Sequence, residues 1–264
     1  MSSTPSLAVA DDSPLWAIKD TLAMTWRNLT TMRRVPQVLV FSFVQPIIFV
    51  FMFRYVFGGA IKVTSGNYVD YLMPGIFTQT VAFGSINTAI GLAEDKGKGL
   101  LERLRSLPMS RGAVLGGRVA ADTIRNAAVV VMILCIGFAV GFRTHTNVLM
   151  VVVGVLVLIA LGLGMAWIFA LIGLSVSNGE AAQAASFPLF APLVFASSLF
   201  VPVETMPGWM QGWAKHQPIS VTADAVRACM LGGPTLHKVL IALAWDVGIG
   251  IVLAPIAIRR FRKA

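Results

Sequence analysis

Three ionisable residues stand inside strongly apolar stretches of the chain: Asp122, Arg125 and Asp246. A charge surrounded by lipid is costly, so each must be paired, neutralised or put to use. Asp122 and Arg125 are three residues apart, which on a helix brings them to one side, where they neutralise each other. Asp246 has no helical partner at such a spacing. A hydrogen bond to another helix, a protonated carboxyl and a functional carboxylate all fit it. Uncharged polar residues, Gln45, Thr78, Gln79, Thr80, Asn87 and Thr88, interrupt the first two apolar stretches. They suit either the wall of a passage or the hydrogen-bonded seam between helices. Gln45, Gln79, Asn87 and Asp246 are the candidate substrate-path residues.

Other chemistries have no matching pattern. No GxxxxGK[ST] phosphate loop occurs, and the Gly97 to Lys98 step lies in a charged loop with no strand before it, so the chain is not expected to bind ATP itself. His145, His216 and His237 lack the HExxH spacing, and Cys135 and Cys229 have no CxxC neighbour. No metal site is expected. No second intramembrane carboxylate is placed to work with Asp246 as an acid and base pair, so a catalytic role is not expected either.

The elements that position these residues follow from composition. Of 264 residues, 56% are hydrophobic and 12% charged, and the mean hydropathy is +0.78. An ordinary soluble domain carries about 25% charge. A soluble globule and a disordered chain are both excluded, as is a fold stapled by its two cysteines. An all-α integral membrane protein remains. Residues 1–13 are polar and contain no cleavable signal pattern, so they are expected to form a tail.

A bilayer core about 30 Å thick needs roughly 20 apolar helical residues. Six segments qualify, near 36–57, 71–93, 119–142, 147–176, 183–203 and 237–258. The fifth contains Pro188 and Pro192 and should be kinked. The net charge of +9 comes from 21 Lys and Arg against 12 Asp and Glu. In so apolar a chain, cation placement reports topology before nucleic acid, which is not an expected partner. The face bearing both tails and the 94–118 loop holds 14 Lys and Arg and the opposite face six. The positive-inside bias therefore makes both termini cytoplasmic.

Three further segments are amphipathic. In residues 14–34, Leu15, Ile18, Leu22, Trp26 and Leu29 recur at helical spacing, with Lys19, Asp20, Arg27 and Asn28 off that stripe. This predicts an interfacial helix capped by Ser13 with Pro14 at its first position. In the charged loop, Leu100, Leu101, Leu104 and Leu107 fall on one helical side, with Glu102, Arg103 and Arg105 largely on another, before Pro108. Four exposed leucines would need a cover, so helix-in-groove docking onto a cytoplasmic partner is weighed against a plain connector. Residues 202–236 read as two short helices parted by Pro218, the second capped by Ser220 or Thr222 and stopped by Gly232, Gly233 and Pro234. Neither is long enough to span, so a re-entrant or external interfacial hairpin is expected before the sixth span, and Trp209 and Trp213, one turn apart, suit a headgroup belt. Gly137 and Gly141 form a GxxxG step, a weak packing signal.

Two motifs carry a family resemblance. The stretch GKGLLERLRSLPMSRGAVLGGR, with Leu-Glu, Leu-Arg, Pro and Ser-Arg before the third span, and the stretch LFVPVETMPGWMQGWAKHQPISVTADAVRACMLGG, with MP-x-W, Gln-Pro-Ile-Ser and DA-x-R-x-x-x-x-GG, resemble the type-2 ABC transporter permeases, in particular their daunorubicin-resistance (DrrB-like) branch. The resemblance covers residues 15–260. Lys98 and Gly99 stand where relatives often have Gly-Thr, and Gln217 where Asn is common.

The resemblance implies a type-2 transmembrane domain over 36–258, preceded by a tail and interfacial helix at 1–35 and followed by a basic tail at 259–264. It implies a plasma-membrane permease with a coupling helix around Gly99 to Leu107 that docks on a separate ATPase. Leu100, Leu101, Leu104 and Leu107 would fill a groove there while Glu102, Arg103 and Arg105 orient the docking. ATP and magnesium would belong to that partner. Two ATPase subunits and a second permease, identical or related, would complete the transporter, with membrane lipid around it. Export of a lipophilic drug or lipid by alternating access is the implied activity. A lipid-linked glycan exporter, a channel and a membrane enzyme are the competing readings.

Overall fold

The computed structural model describes residues 14–34, 36–57, 68–106 and 109–263, and these are helical with connecting turns. α1 (Pro14–Arg34) leads to α2 (Pro36–Phe51), which runs on into a π-helical turn, Met52–Phe57. α3 (Tyr68–Gly84) and α4 (Ile86–Gly97) are one rod interrupted at Ser85, and α5 (Leu100–Arg105) is the short loop helix. α6 (Arg111–Ala139), α7 (Val148–Ser175) and α8 (Gly179–Phe195) follow, then α9 (Gly208–His216), α10 (Pro218–Leu231) and α11 (Thr235–Lys263).

Among the described residues, four stretches are long and apolar enough to cross a membrane: Val69–Gly97, Gly112–Ala139, Val148–Ser175 and Thr235–Phe261. Two of the six expected segments are shorter. The apolar part of the first is Ser42–Val56, with Pro46 inside α2 and Arg54 in its last turn. The fifth ends at Phe195 after 17 residues containing Pro188 and Pro192, each of which removes a backbone donor and disturbs the preceding turn.

The main core lies where α3, α6, α7 and α10 meet, with Leu72, Phe77, Ile133, Leu158, Leu161 and Val226 fully buried. α10, expected with α9 to form a re-entrant or external interfacial hairpin, is largely enclosed: Ile219, Ala223, Ala225, Val226 and Cys229 are buried. Its cap is Gln217, whose side chain accepts from the Ile219 N–H; Ser220 and Thr222 spend their hydroxyls on neighbouring segments instead. Trp209 and Trp213 on α9 remain exposed. Gly232 and Gly233, at φ +101° and +120°, stop α10 as expected.

The GxxxG step is a helix–helix face only at Gly137, which packs against Met73 of α3. Gly141 lies past the end of α6 at φ +102°, the Phe142 N–H reaches the Gly137 carbonyl at 2.8 Å and the Gly141 N–H the Phe138 carbonyl at 3.3 Å. Two donors thus satisfy the last carbonyls through a left-handed glycine, a Schellman stop.

α1 lies along α6 with the opposite face from that used by most amphipathic helices. Leu15, Ile18, Leu22 and Trp26 point outward, whereas Met24, Thr25 and Asn28 are buried. The small residues Gly116 and Gly117 admit this polar face closely. The apolar stripe of α1 is exposed. Asp20 accepts from the Ser110 N–H at 2.8 Å, and Arg27 stands 3.7 Å from Asp95. Both contacts tie α1 to the ends of the charged loop. The expected cap Ser13 lies outside the described residues.

Candidate functional site: a polar cavity walled by Arg125

The break at Ser85 builds the site. Where the rod α3–α4 is interrupted, the Gly84 carbonyl has no helical donor of the usual kind and accepts from Arg125 Nη2 at 2.7 Å and Asn87 Nδ2 at 3.1 Å. The Ser85 hydroxyl lies 3.0 Å from the Val81 carbonyl and 3.3 Å from that of Gly162, fixing the break against α7.

The Asp122 and Arg125 side chains meet at 3.1 Å, both almost fully buried, as their spacing predicts. Two partners were not foreseen. Arg118 donates through Nε to Asp122 Oδ2 at 3.3 Å, and the Thr88 hydroxyl donates to the same oxygen at 2.7 Å. Arg118 also reaches the Asn87 carbonyl at 3.1 Å. Arg118 was legible as the residue four before Asp122, on the same helical side as the pair; its place in a cation-rich loop concealed it. Two guanidinium groups therefore share one carboxylate.

Beside this group is a cavity of about 590 Å³ between α2, the α3–α4 break and α6. Gln45 from α2, Thr80 from α3, Asn87 from α4, and Arg125 and Asn126 from α6 face it, with Pro46, Phe83 and Val129 supplying apolar wall. Of the candidate path residues, Gln45 and Asn87 come together here. Gln79 is buried and points elsewhere. Thr78 is taken up by the Pro74 carbonyl. Asp246 is also apart from the cavity: it is buried between α10 and α11, accepts from the Thr222 hydroxyl at 3.3 Å, and leaves Oδ1 without a partner among the described residues. The interhelical hydrogen bond accounts for one of its oxygens.

The loop helix is packed against the rest of the chain on one side. Leu101 and Leu104 are buried at 3% and 8% exposure in a second core with Met24, Leu92, Leu115, Leu174 and Phe261; Leu100 packs at its edge. Leu101 and Leu104, expected to fill a partner's groove, are covered by the chain itself. Glu102 and Arg103 are exposed on the opposite side. Leu107 and the side chain of Arg105 lie outside the described residues.

The second motif proves to be an anchor. Arg227 donates to the carbonyls of Tyr71 at 3.1 Å, Ser198 at 2.7 Å and Leu199 at 2.9 Å, and to Asp224 at 2.7 Å. Ser220 accepts from the Ser198 N–H at 2.9 Å, and Gln217 donates to the Leu193 carbonyl at 2.8 Å. The Gln-Pro-Ile-Ser and DA-x-R residues thus hold the chain where α8 ends, supplying donors for carbonyls that a broken helix leaves free.

Apolar helices of spanning length, packed around a polar cavity with buried charges, define a multi-pass membrane protein with an internal site. The profile of the family described as ABC-2 type transporter matches residues 19–231. The daunorubicin resistance ABC transporter permease protein DrrB1 of Streptomyces coeruleorubidus is 35% identical over 247 residues, 94% of this chain and 87% of that protein. The probable doxorubicin resistance ABC transporter permease protein DrrC of Mycobacterium tuberculosis is 30% identical over 249 residues, 94% and 90% of the two chains. A putative transport permease, ycf38 of Cyanophora paradoxa, is 26% identical over 214 residues, 80% and 73%. The chain belongs to the ABC-2 type transporter family and is a permease of its drug-resistance branch.

Proposed function

We propose that this chain is the membrane-spanning permease subunit of an ATP-driven exporter that moves a lipophilic drug or lipid outward across the plasma membrane. In this reading α2 and α8 complete six spans, both termini are cytoplasmic, and α9–α10 form a re-entrant hairpin on the outer side. A separate ATPase, present in two copies with its ATP and magnesium, docks on α5. A second permease, identical or related, completes the assembly. Closure of the ATPase pair moves α5, and alternating access follows from differential binding to two states.

The observation that carries this reading is the orientation of α5. Leu101 and Leu104 root the helix in the core that also holds α1, α4, α6 and α11, while Glu102 and Arg103 face away from it. A force applied to the charged face is thereby transmitted to packed helices. The expected groove-filling role passes from the leucines to the charged face. The relatives named for daunorubicin and doxorubicin resistance support a drug or amphiphile over a glycan, and the cavity presents one aromatic side chain, Phe83, among its lining residues, against the aromatic-rich groove expected for a sugar.

The test is co-purification from the native membrane with Arg103→Glu, Glu102→Lys and the double reversal. A phosphate-loop ATPase that accompanies the wild type and is lost from the reversals, with membrane insertion unchanged, supports the docking face. Retention of full ATPase stimulation in the double reversal sinks it.

A further inference from the structure

α11 packs along α7 so closely that a Cβ at Gly164 would stand 2.6 Å from the Asp246 carbonyl oxygen. Beside this contact the two helices leave a groove of about 580 Å³, walled by Ile241, Trp245, Val252 and Leu253 of α11 and Ile168 of α7, with Gly248 between them. Apart from the Trp245 indole, no lining side chain carries a polar atom. The groove shares no lining residue with the polar cavity, and Trp245 and Val252 at its rim are exposed.

From Ile241 to Leu253 the groove runs about 18 Å along the helix at 1.5 Å per residue. One leaflet of a bilayer core about 30 Å thick is about 15 Å deep, so the groove takes one acyl chain of one leaflet lengthwise. Lys238 stands three residues before Ile241 and seven before Trp245, on the same helical side and one turn beyond the groove's end. It makes no ion pair or hydrogen bond among the described residues. The acids of that end are engaged elsewhere, Asp70 by His145 and Asp224 by Arg227, while Glu204 stands near Tyr71. Asp246, the one acid of α11, is buried about two turns away beside Thr222. A cation at the end of a membrane helix, with an apolar furrow one turn below it, matches a phosphate followed by a hydrocarbon chain. A second helix fits less well. Helices associate in lipid through small-residue contacts and interhelical hydrogen bonds, whereas the branched and aromatic rim holds another backbone off and offers only the Trp245 N–H.

We propose that the α7–α11 groove is a phospholipid site, in which one acyl chain lies along Ile241, Trp245, Gly248 and Val252 and the phosphate pairs with Lys238. The lipid is a bound component of the folded chain, held apart from the polar cavity. Because it binds only where α7 and α11 are docked, it stabilises that docking by mass action. The site goes beyond the exporter reading and does not rest on it.

The experiment titrates the full chain, purified in maltoside detergent and stripped of lipid, with phosphatidylglycerol or with a diacylglycerol of the same acyl chains, and counts bound lipid by native mass spectrometry. One phosphatidylglycerol per chain should be held roughly tenfold more tightly than diacylglycerol, the scale of one charge-assisted contact. Gly248→Phe fills the groove from a position where a Cβ meets nothing within 4 Å, so it should fold normally and lose that lipid. Lys238→Ala should bring phosphatidylglycerol down to the affinity of diacylglycerol, and Lys238→Arg should restore it. These two variants touch no protein partner and decide the matter should Gly248→Phe fail to fold. Full phosphatidylglycerol binding in a folded Gly248→Phe chain overturns the proposal, as does equal binding of the two lipids by the wild type. If Gly248→Phe instead turns a dimer into single chains with the lipid count unchanged, the groove belongs to a second copy and the proposal falls as well. The assay needs no ATPase, so failure of the lipid site leaves the exporter reading standing.

Discussion

The guanidinium carbon of Arg227 sits 3.9 Å from the centroid of the Tyr71 ring, and its Nε donates to the Tyr71 carbonyl at 3.1 Å. One side chain thus joins α10 to the first turn of α3. The Tyr71 hydroxyl completes the link by donating to the Ser198 carbonyl at 2.8 Å, so three segments distant in sequence share a single buried knot. Cation–π attraction and carbonyl acceptance act on the same cation without competing, because one uses the ring face and the other the in-plane N–H groups.

Replacing Arg227 by alanine strands the Leu199 carbonyl and leaves that of Ser198 with only the Tyr71 hydroxyl, where water cannot readily reach them. A loss of about 3 kcal/mol is expected, from several charge-assisted hydrogen bonds removed together. Arg227→Lys, which cannot span the same acceptors at once, should fall between. Thermal unfolding in detergent, followed for wild type and both variants, checks the order; an alanine variant as stable as wild type would remove the anchor role.

Asp122→Asn leaves Arg118 and Arg125 facing each other without a carboxylate and should destabilise the chain by about 3 kcal/mol. The double variant Asp122→Asn with Arg125→Gln removes the repulsion and should lose less than the two single changes added together. The coupling is read from a double-mutant cycle on unfolding midpoints. Strict additivity would mean that the pair, though 3.1 Å apart, does not interact energetically.

A side chain at Gly117 has no room. A Cβ there would stand 2.4 Å from the Met24 Cβ and 2.9 Å from the Thr25 backbone nitrogen, and backbone cannot yield as a flexible tip can. Gly117→Leu is expected to lift α1 from α6 while leaving α7 and α11 assembled. Limited proteolysis should then cut within residues 14–34 several times faster than in wild type. Unchanged protection would show that α1 is held elsewhere, chiefly by Asp20 on Ser110.

Much of this protein follows from local pattern. Hydrophobic stretches, the outward stripe of α1, the short helix at Leu100–Arg105 and the Asp122–Arg125 pair all arise within one helix, where the 3.6-residue period alone decides which side chains are neighbours. The glycine stops after α10 are local for the same reason. The two motifs likewise sufficed to identify the family, since they are contiguous runs of residues.

Which face of a helix meets which neighbour was left to the tertiary structure. The same leucine stripe on α5 fits an outside groove or an inside core equally well; the second core, assembled from α1, α4, α6, α7 and α11, decides for the inside at Leu101 and Leu104. Gln45 and Gln79 are chemically alike, yet one faces the cavity and the other is packed away. Arg118 and Arg227, counted as loop cations, become buried or partly buried partners because the Asn87 carbonyl and the carbonyls after α8 come within their reach only when the helices dock. Periodicity acts along one chain segment, whereas burial is a property of surfaces that meet across 31 to 156 residues of sequence, and only the folded arrangement determines those meetings.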